Sequence, residues 1–148
     1  MTNSEVEQIE RNLKGKIRRV RQLLKEHGNS GFALEAEHLL IDNIWSVSTV
    51  AIKYPDLYPL IVELFELARV PIHLQGFWGE IKYYYETVGV LAALDSHQYR
   101  LAAKFLTYVG VIKSNQDNPL GALQYFDRAI DLFRQLGDDS KAQEDLVS

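Results

Sequence analysis

The side chains that most often bind metals or move protons are few and scattered in this sequence. It has no cysteine, which excludes thiolate zinc sites and thiol nucleophiles. Of its histidines only His38 has a carboxylate, Asp42, at the i, i+4 spacing of a helical metal pair. One His and one Asp a helical turn apart are more typical of a surface hydrogen bond, because structural zinc sites use four ligands and catalytic ones at least three. The sequence therefore predicts no metal site.

Catalytic carboxylates and phosphate-binding loops are also hard to place. Glu63 and Glu66 share a helix face, but an acid–base pair needs an enclosed site that separates the two pKa values. Gly28 and Gly31 are not followed by the Lys-Ser/Thr of a phosphate-binding loop. We therefore expect neither an enzyme nor a bound cofactor.

Basic residues give the clearest signal for binding. Residues 11–25 hold seven Lys and Arg and no acid, whereas the other positions hold nine bases and all twenty acids. The chain is thus a basic segment joined to an acidic body, although its net charge is only −4. The candidate basic patch consists of Lys14, Arg18, Arg19, Arg21 and Lys25.

This segment leaves several partners open. Its apolar stripe, at spacings of 3 and 4, fits packing on the body or pairing with a partner helix. Its positive face can dock on the acidic body of a second copy, or on nucleic acid through phosphate neutralisation. It has no aromatic residues, which single-strand binders and membrane-surface helices use.

Helical periods dominate the rest of the chain, so we expect an all-α fold. The pattern predicts an N-terminal basic amphipathic helix within 1–28, packed on a helical domain spanning 33–148. Start signals and breakers divide that domain into hairpins and a C-terminal cap helix, at about 33–54, 55–95, 97–137 and 139–148. The charged N-terminus and the lack of a long apolar run predict no secretory signal, no membrane span and a cytoplasmic location.

Small residues in the last hairpin predict close helix packing. Gly110 and Ala122 are expected to let two antiparallel helices approach, with Ala129 admitting the next helix. Phe126 is expected to fill the space between this pair and its neighbour. A 42-residue shift of the chain aligns 57–96 with 99–138, and the two segments match by residue class at many positions, which suggests an internal repeat.

These residues carry a resemblance to a known family. The spacing of Leu106, Val109, Gly110, Ala122, Phe126 and Ala129 resembles the signature of the tetratricopeptide repeat. The long period and the Leu-Gly-Asp at 136–138 are similar to repeats in the sensor arms of bacterial signalling NTPases and regulators. The upstream unit departs from the signature, with Glu80 and Thr87 in place of alanines. The resemblance implies a right-handed solenoid of about six to seven helices with a concave groove.

The resemblance also implies a function, which is binding of a protein or peptide in that groove. The expected contact residues are Glu66, Arg69, His73, Lys104, Tyr108 and Val111. Apart from Glu66 this set leans basic, so an acidic peptide is the expected ligand. The alternative is a nucleic-acid-associated regulator that binds through the helix of residues 11–25.

Overall fold

A computed structural model describes residues 3–30, 35–116 and 118–136. Every regular element in these ranges is helical, which confirms the predicted all-α class. The helices are α1 Asn3–His27, α2 Glu35–Ala51, α3 Tyr58–Leu74, α4 Trp78–Tyr84, α5 Val90–Asp95, α6 Tyr99–Asn115 and α7 Pro119–Gln135. Short 3₁₀ turns span Gly28–Ser30 and Pro55–Leu57, and a π-helical turn, Tyr85–Gly89, joins α4 to α5 without a break.

Two compact units divide the chain, an N-terminal unit (Met1–Phe77) and a C-terminal unit (Trp78–Ser148). The boundary falls inside the predicted hairpin of residues 55–95. The predicted cap helix at 139–148 and the Gly137-Asp138 part of the predicted repeat end lie outside the described residues. The three-hairpin organisation and the solenoid stay predictions.

In the N-terminal unit, α1 packs on α2 and α3 through its apolar stripe. Leu13, Ile17, Val20 and Leu23 are buried along one face of the helix. Trp45 of α2 lies edge-on against Phe65 of α3, with ring centroids 5.8 Å apart. The sequence predicts Leu13, Ile17 and Val20 on this face because residues three and four apart share a helix face. It predicts Leu24 as the next member, but the structure buries Leu23 and leaves Leu24 half-buried.

The α2–α3 corner is fixed by a proline and a tyrosine. The predicted hairpin of residues 55–95 starts at Pro55, but Pro55 opens the 3₁₀ turn and α3 begins at Tyr58. Both this turn and α3 have a proline in their first two positions. The backbone N–H at these positions has no partner within the helix, so proline, which lacks an N–H, costs no hydrogen bond there. The Tyr58 hydroxyl then donates a 2.7 Å hydrogen bond to the Ile52 carbonyl just after α2.

In the C-terminal unit, α6 packs against α7, α5 and the π-helical turn. Tyr85 opens that turn and is fully buried, with its ring edge-on to Phe105 and Tyr108 at 5.3 and 5.4 Å. The 42-residue shift aligns Tyr84 with Phe126 and so predicts Tyr84 as the core tyrosine, which is wrong. Tyr84 is half-buried and contacts exposed Tyr83, because the buried face of this helix is centred one residue later.

The α6–α7 hairpin shows the close packing predicted from small residues. Gly110 is buried, and Ala122 and Ala129 are 1% and 0% exposed. The position of Phe126 differs in detail from the expectation, because its ring lies directly over Gly110 within the hairpin. A Cβ atom placed at 110 would be 2.7 Å from Phe126 Cε1, which is too close for a normal contact.

Candidate functional site

The outer face of α6 carries a strip of four residues, of which the two charged ones are both basic. Arg100, Lys104, Thr107 and Val111 follow one another at spacings of 4, 3 and 4, which places them on one side of the helix. Lys104 is exposed and Val111 is 41% exposed. The whole of α6 has three Lys and Arg and no acid. We call these four residues the α6 strip.

Tyr108, the third residue predicted on this helix, lies beside the strip and toward the core. It is 8% exposed, and its ring packs edge-on against Tyr85. The structure therefore brings Lys104 and Val111 together on the surface and gives Tyr108 a packing contact. A ligand on the strip would therefore contact Lys104 and Val111 more than Tyr108.

The predicted residues of α3 form a second strip, in the N-terminal unit. Glu66, Arg69 and His73 follow at spacings of 3 and 4 and are all half-buried. Arg69 Nε lies 4.0 Å from Glu66 Oε2, so an acid of the same helix offsets the guanidinium charge. This strip is consequently much closer to neutral than the α6 strip.

The basic patch of α1 is more regular than the sequence suggested. Five exposed cations recur at spacings of 3, 4, 3 and 4 and so share one face of the helix: Arg11, Lys14, Arg18, Arg21 and Lys25. Arg11 joins the predicted set, whereas Arg19 is half-buried at the flank. We call these five residues the α1 stripe.

Two members of the α1 stripe are paired with carboxylates. Arg21 Nη2 lies 2.8 Å from Glu63 Oε2 of α3, and Lys14 Nζ lies 3.5 Å from Glu10 Oε1. Both pairs are substantially exposed, so each is worth less than about 1 kcal/mol of stability. In the part of the chain that the structure describes, no carboxylate pairs with the other three cations, Arg11, Arg18 and Lys25.

A cleft between α1 and α2 was not predicted from the sequence. It has a volume of about 420 Å³ and is wide open to solvent. Lys16 is its one charged lining residue, and its Nζ donates a 2.9 Å hydrogen bond to Asn12 Oδ1. The other lining residues are Ile9, Asn43, Ser46, Val47 and Val50. The sequence carries a partial signal for this cleft, because the lining residues of each helix share one face. These residues are Asn12 and Lys16 on α1, and Asn43, Ser46, Val47 and Val50 on α2.

No family model, curated protein or solved structure matches this chain. Over the ranges with described coordinates, no helix combines the length and apolar character needed to cross a bilayer. In the same ranges, no three His, Cys, Asp or Glu side chains gather at a possible metal site. The ring of His38 instead packs edge-on against Phe77, with centroids 5.5 Å apart.

One polar pair inside the C-terminal unit deserves comparison with a catalytic site. The Tyr125 hydroxyl of α7 donates a 2.6 Å hydrogen bond to Glu86 Oε1 in the π-helical turn. Burial and this hydrogen bond raise the pKa of Tyr125 to about 12. The phenol therefore stays protonated at neutral pH, which makes it a poor base or nucleophile. Its geometry fits a structural role, which is to tie α7 to the wide turn.

Proposed function

We propose that this protein is a non-enzymatic protein-binding module, which acts as an adaptor or scaffold and holds an acidic segment of its partner on the α6 strip. The observation that carries the proposal is the strip itself, where Arg100 and Lys104 precede an exposed Val111 along one side of a helix without acids. This role agrees with the peptide binding that the repeat resemblance implies. The α3 strip, with Glu66, Arg69 and His73, is proposed as a second contact surface.

The spacing of the strip limits the partner. Lys104 and Val111 are seven residues apart, which is about 10.5 Å along a helix. A partner helix meets both with an acidic and an apolar residue seven positions apart. A peptide in the polyproline II conformation, which has three residues and about 9.3 Å per turn, does so with the two residues three positions apart. The apolar contact would contribute affinity, while the charged contact would mainly raise the association rate and select the partner.

A random peptide display library tests this proposal. We expect the native chain to enrich peptides that combine Asp or Glu with a large apolar residue at one of these two spacings. Lys104→Glu should reverse the charge preference toward Lys and Arg, and Val111→Asp should weaken binding about tenfold or more. The matched control is Leu91→Asp with Arg128→Glu, because Leu91 is also 41% exposed and Arg128 is exposed.

Two outcomes would contradict the proposal. One is enrichment of acidic peptides that persists unchanged in Lys104→Glu, which would move the ligand to another surface. The other is a peptide preference that the control pair abolishes and the strip variants do not.

A further inference from the structure

The α1 stripe presents five cations from a helix that is held rigidly by its other face. Leu13, Ile17 and Val20 are buried against α2 and α3, while the stripe is centred about 120° away around the helix, on its exposed side. The helix is already formed and docked, so binding would require only the ordering of exposed side chains. We propose that this stripe binds the phosphate backbone of double-stranded nucleic acid, an activity separate from peptide binding at the α6 strip.

The length of the stripe suits a duplex. Arg11 and Lys25 are fourteen residues apart, which corresponds to about 21 Å along the helix axis. At 3.4 Å per base pair, that length covers about six base pairs. Cations spread over this distance can each neutralise a phosphate and release a counterion, which is the main driving force of sequence-independent binding.

The composition of the stripe favours nucleic acid over other anionic partners. The exposed large apolar residues of the described chain include none from α1. The core of a protein interface is apolar, and a helix that lies on a membrane inserts an apolar face, so both would need side chains that this surface lacks. The helix also lacks aromatic residues for stacking on unpaired bases, so a duplex is favoured over a single strand.

The negative charge of the chain does not prevent this binding. Charges farther away than about 8 Å are largely screened at physiological salt. Glu10 and Glu63 pair with Lys14 and Arg21 of the stripe. Arg11, Arg18 and Lys25 remain at seven-residue intervals along one line of the helix, and we expect them to make the strongest phosphate contacts.

Fluorescence anisotropy with a labelled DNA duplex of arbitrary sequence, titrated over a range of salt concentrations, tests the proposal. We expect the logarithm of the association constant to fall with the logarithm of salt at a slope of about −2.7 to −4.5, as three to five phosphate contacts predict. The triple variant Arg11→Glu, Arg18→Glu and Lys25→Glu should lose at least tenfold in affinity at low salt. Circular dichroism of each variant checks that α1 stays folded.

A matched control separates this surface from net charge. The triple variant Lys53→Glu, Arg128→Glu and Arg134→Glu changes the net charge equally at exposed positions that are not part of the stripe. It should keep its affinity within about threefold. Equal losses in both triple variants, or unchanged binding in the stripe variant, would overturn the proposal.

A second pair of variants tests whether duplex affinity rises when Arg21 loses its carboxylate partner. Glu63→Gln releases Arg21 from its carboxylate partner and should tighten duplex binding about two- to fivefold. Asp131→Asn removes the same charge from exposed α7 and should change little. If Glu63→Gln does not raise the duplex affinity more than Asp131→Asn does, Arg21 is not part of a phosphate-binding surface.

Binding assays with other anions distinguish nucleic acid from the other possible partners of the stripe. Binding to vesicles of anionic phospholipid, or to polyglutamate, without binding to the duplex would overturn the proposal in favour of a membrane or an acidic protein. Lys104→Glu with Val111→Asp should leave duplex binding intact, so that failure of peptide binding and failure of nucleic-acid binding can be told apart.

Discussion

The ring of Phe126 occupies the space that a side chain at position 110 would need. A Cβ atom there would lie 2.7 Å from Cε1 and 3.1 Å from Cδ1 and Cζ of the ring. Glycine within a helix costs about 1 kcal/mol relative to alanine. The α6–α7 hairpin accepts this cost because the close approach lets an aromatic ring cover the α6 backbone.

Replacing this glycine with a large residue should destabilise the protein by overpacking. Gly110→Leu is expected to lower the free energy of unfolding by about 1–3 kcal/mol, because the leucine and the Phe126 ring cannot share the space. Urea denaturation measures the change. Gly15→Leu on α1 is the control, since a Cβ at 15 meets only the Arg18 guanidinium at 3.8 Å.

The effect of Gly110→Ala on stability should change sign with the identity of residue 126. In the native background, the clash of Gly110→Ala with Phe126 should cancel or exceed its gain in helix propensity. In a Phe126→Ala background, the same change should stabilise by about 0.5–1 kcal/mol, because only the propensity gain remains. A double-mutant cycle with equal effects in both backgrounds would show that the two residues do not interact.

Removal of the ring itself should leave a partly open cavity. Phe126 is half-buried, so Phe126→Ala should cost about 2–3 kcal/mol, less than the 3–5 kcal/mol typical of a fully buried phenylalanine. Phe105, which is 0% exposed in the same unit, provides the comparison. In a denaturant titration, Phe105→Ala should therefore lose more stability than Phe126→Ala.

The start of α7 depends on a side-chain cap. Asn118 Oδ1 accepts a 3.0 Å hydrogen bond from the Gly121 backbone N–H. Asn118→Ala should therefore cost about 1 kcal/mol, while Asn118→Asp should keep most of the stability because aspartate is an equally good cap. Thermal denaturation of the two variants measures this difference, and equal losses would mean that the cap contributes little.

The Tyr125–Glu86 bond predicts a loss of stability at high pH. The phenol pKa rises from 10.0 to about 12 on folding, so its stabilising effect is complete below pH 10. Between pH 10 and 12 the unfolded chain releases the proton more readily than the folded protein, so the free energy of unfolding falls by about 1.4 kcal/mol per pH unit. Tyr125→Phe should reduce this fall, whereas Tyr83→Phe, at an exposed site, should retain it.

The helices and their packing face could be predicted where periodicity and small residues agree. Gly110 and Ala122 stood out because close helix contact needs small side chains, and the structure buries both. The Asn118-Pro119 start signal was equally direct, because the cap and the proline act within one turn. The α1 stripe was visible as a basic segment, although only the helical register shows that five of its cations share one face.

Other features depend on tertiary contacts that local patterns do not carry. Local rules predict Ser96 as the cap of the next helix, but its hydroxyl donates to the Ala92 carbonyl of α5, and α6 begins only at Tyr99. His97 lies between them in the left-handed region, with φ 60°, which few sequence rules assign to histidine. The α1–α2 cleft forms only when two distant faces meet, so neither helix indicates it alone.

The wide turn at Tyr85–Gly89 sets the rotational phase between α4 and α5. A π-helical turn holds about one more residue than an α-helical turn, and each residue of an α-helix advances by about 100°. Deleting one residue from this segment would restore regular winding and rotate α5 by about that angle relative to α4. Buried Ala92 and Ala93 would then turn away from α6, and exposed Leu91 would change direction with them. A single codon in this segment thus decides which side of α5 faces the interior.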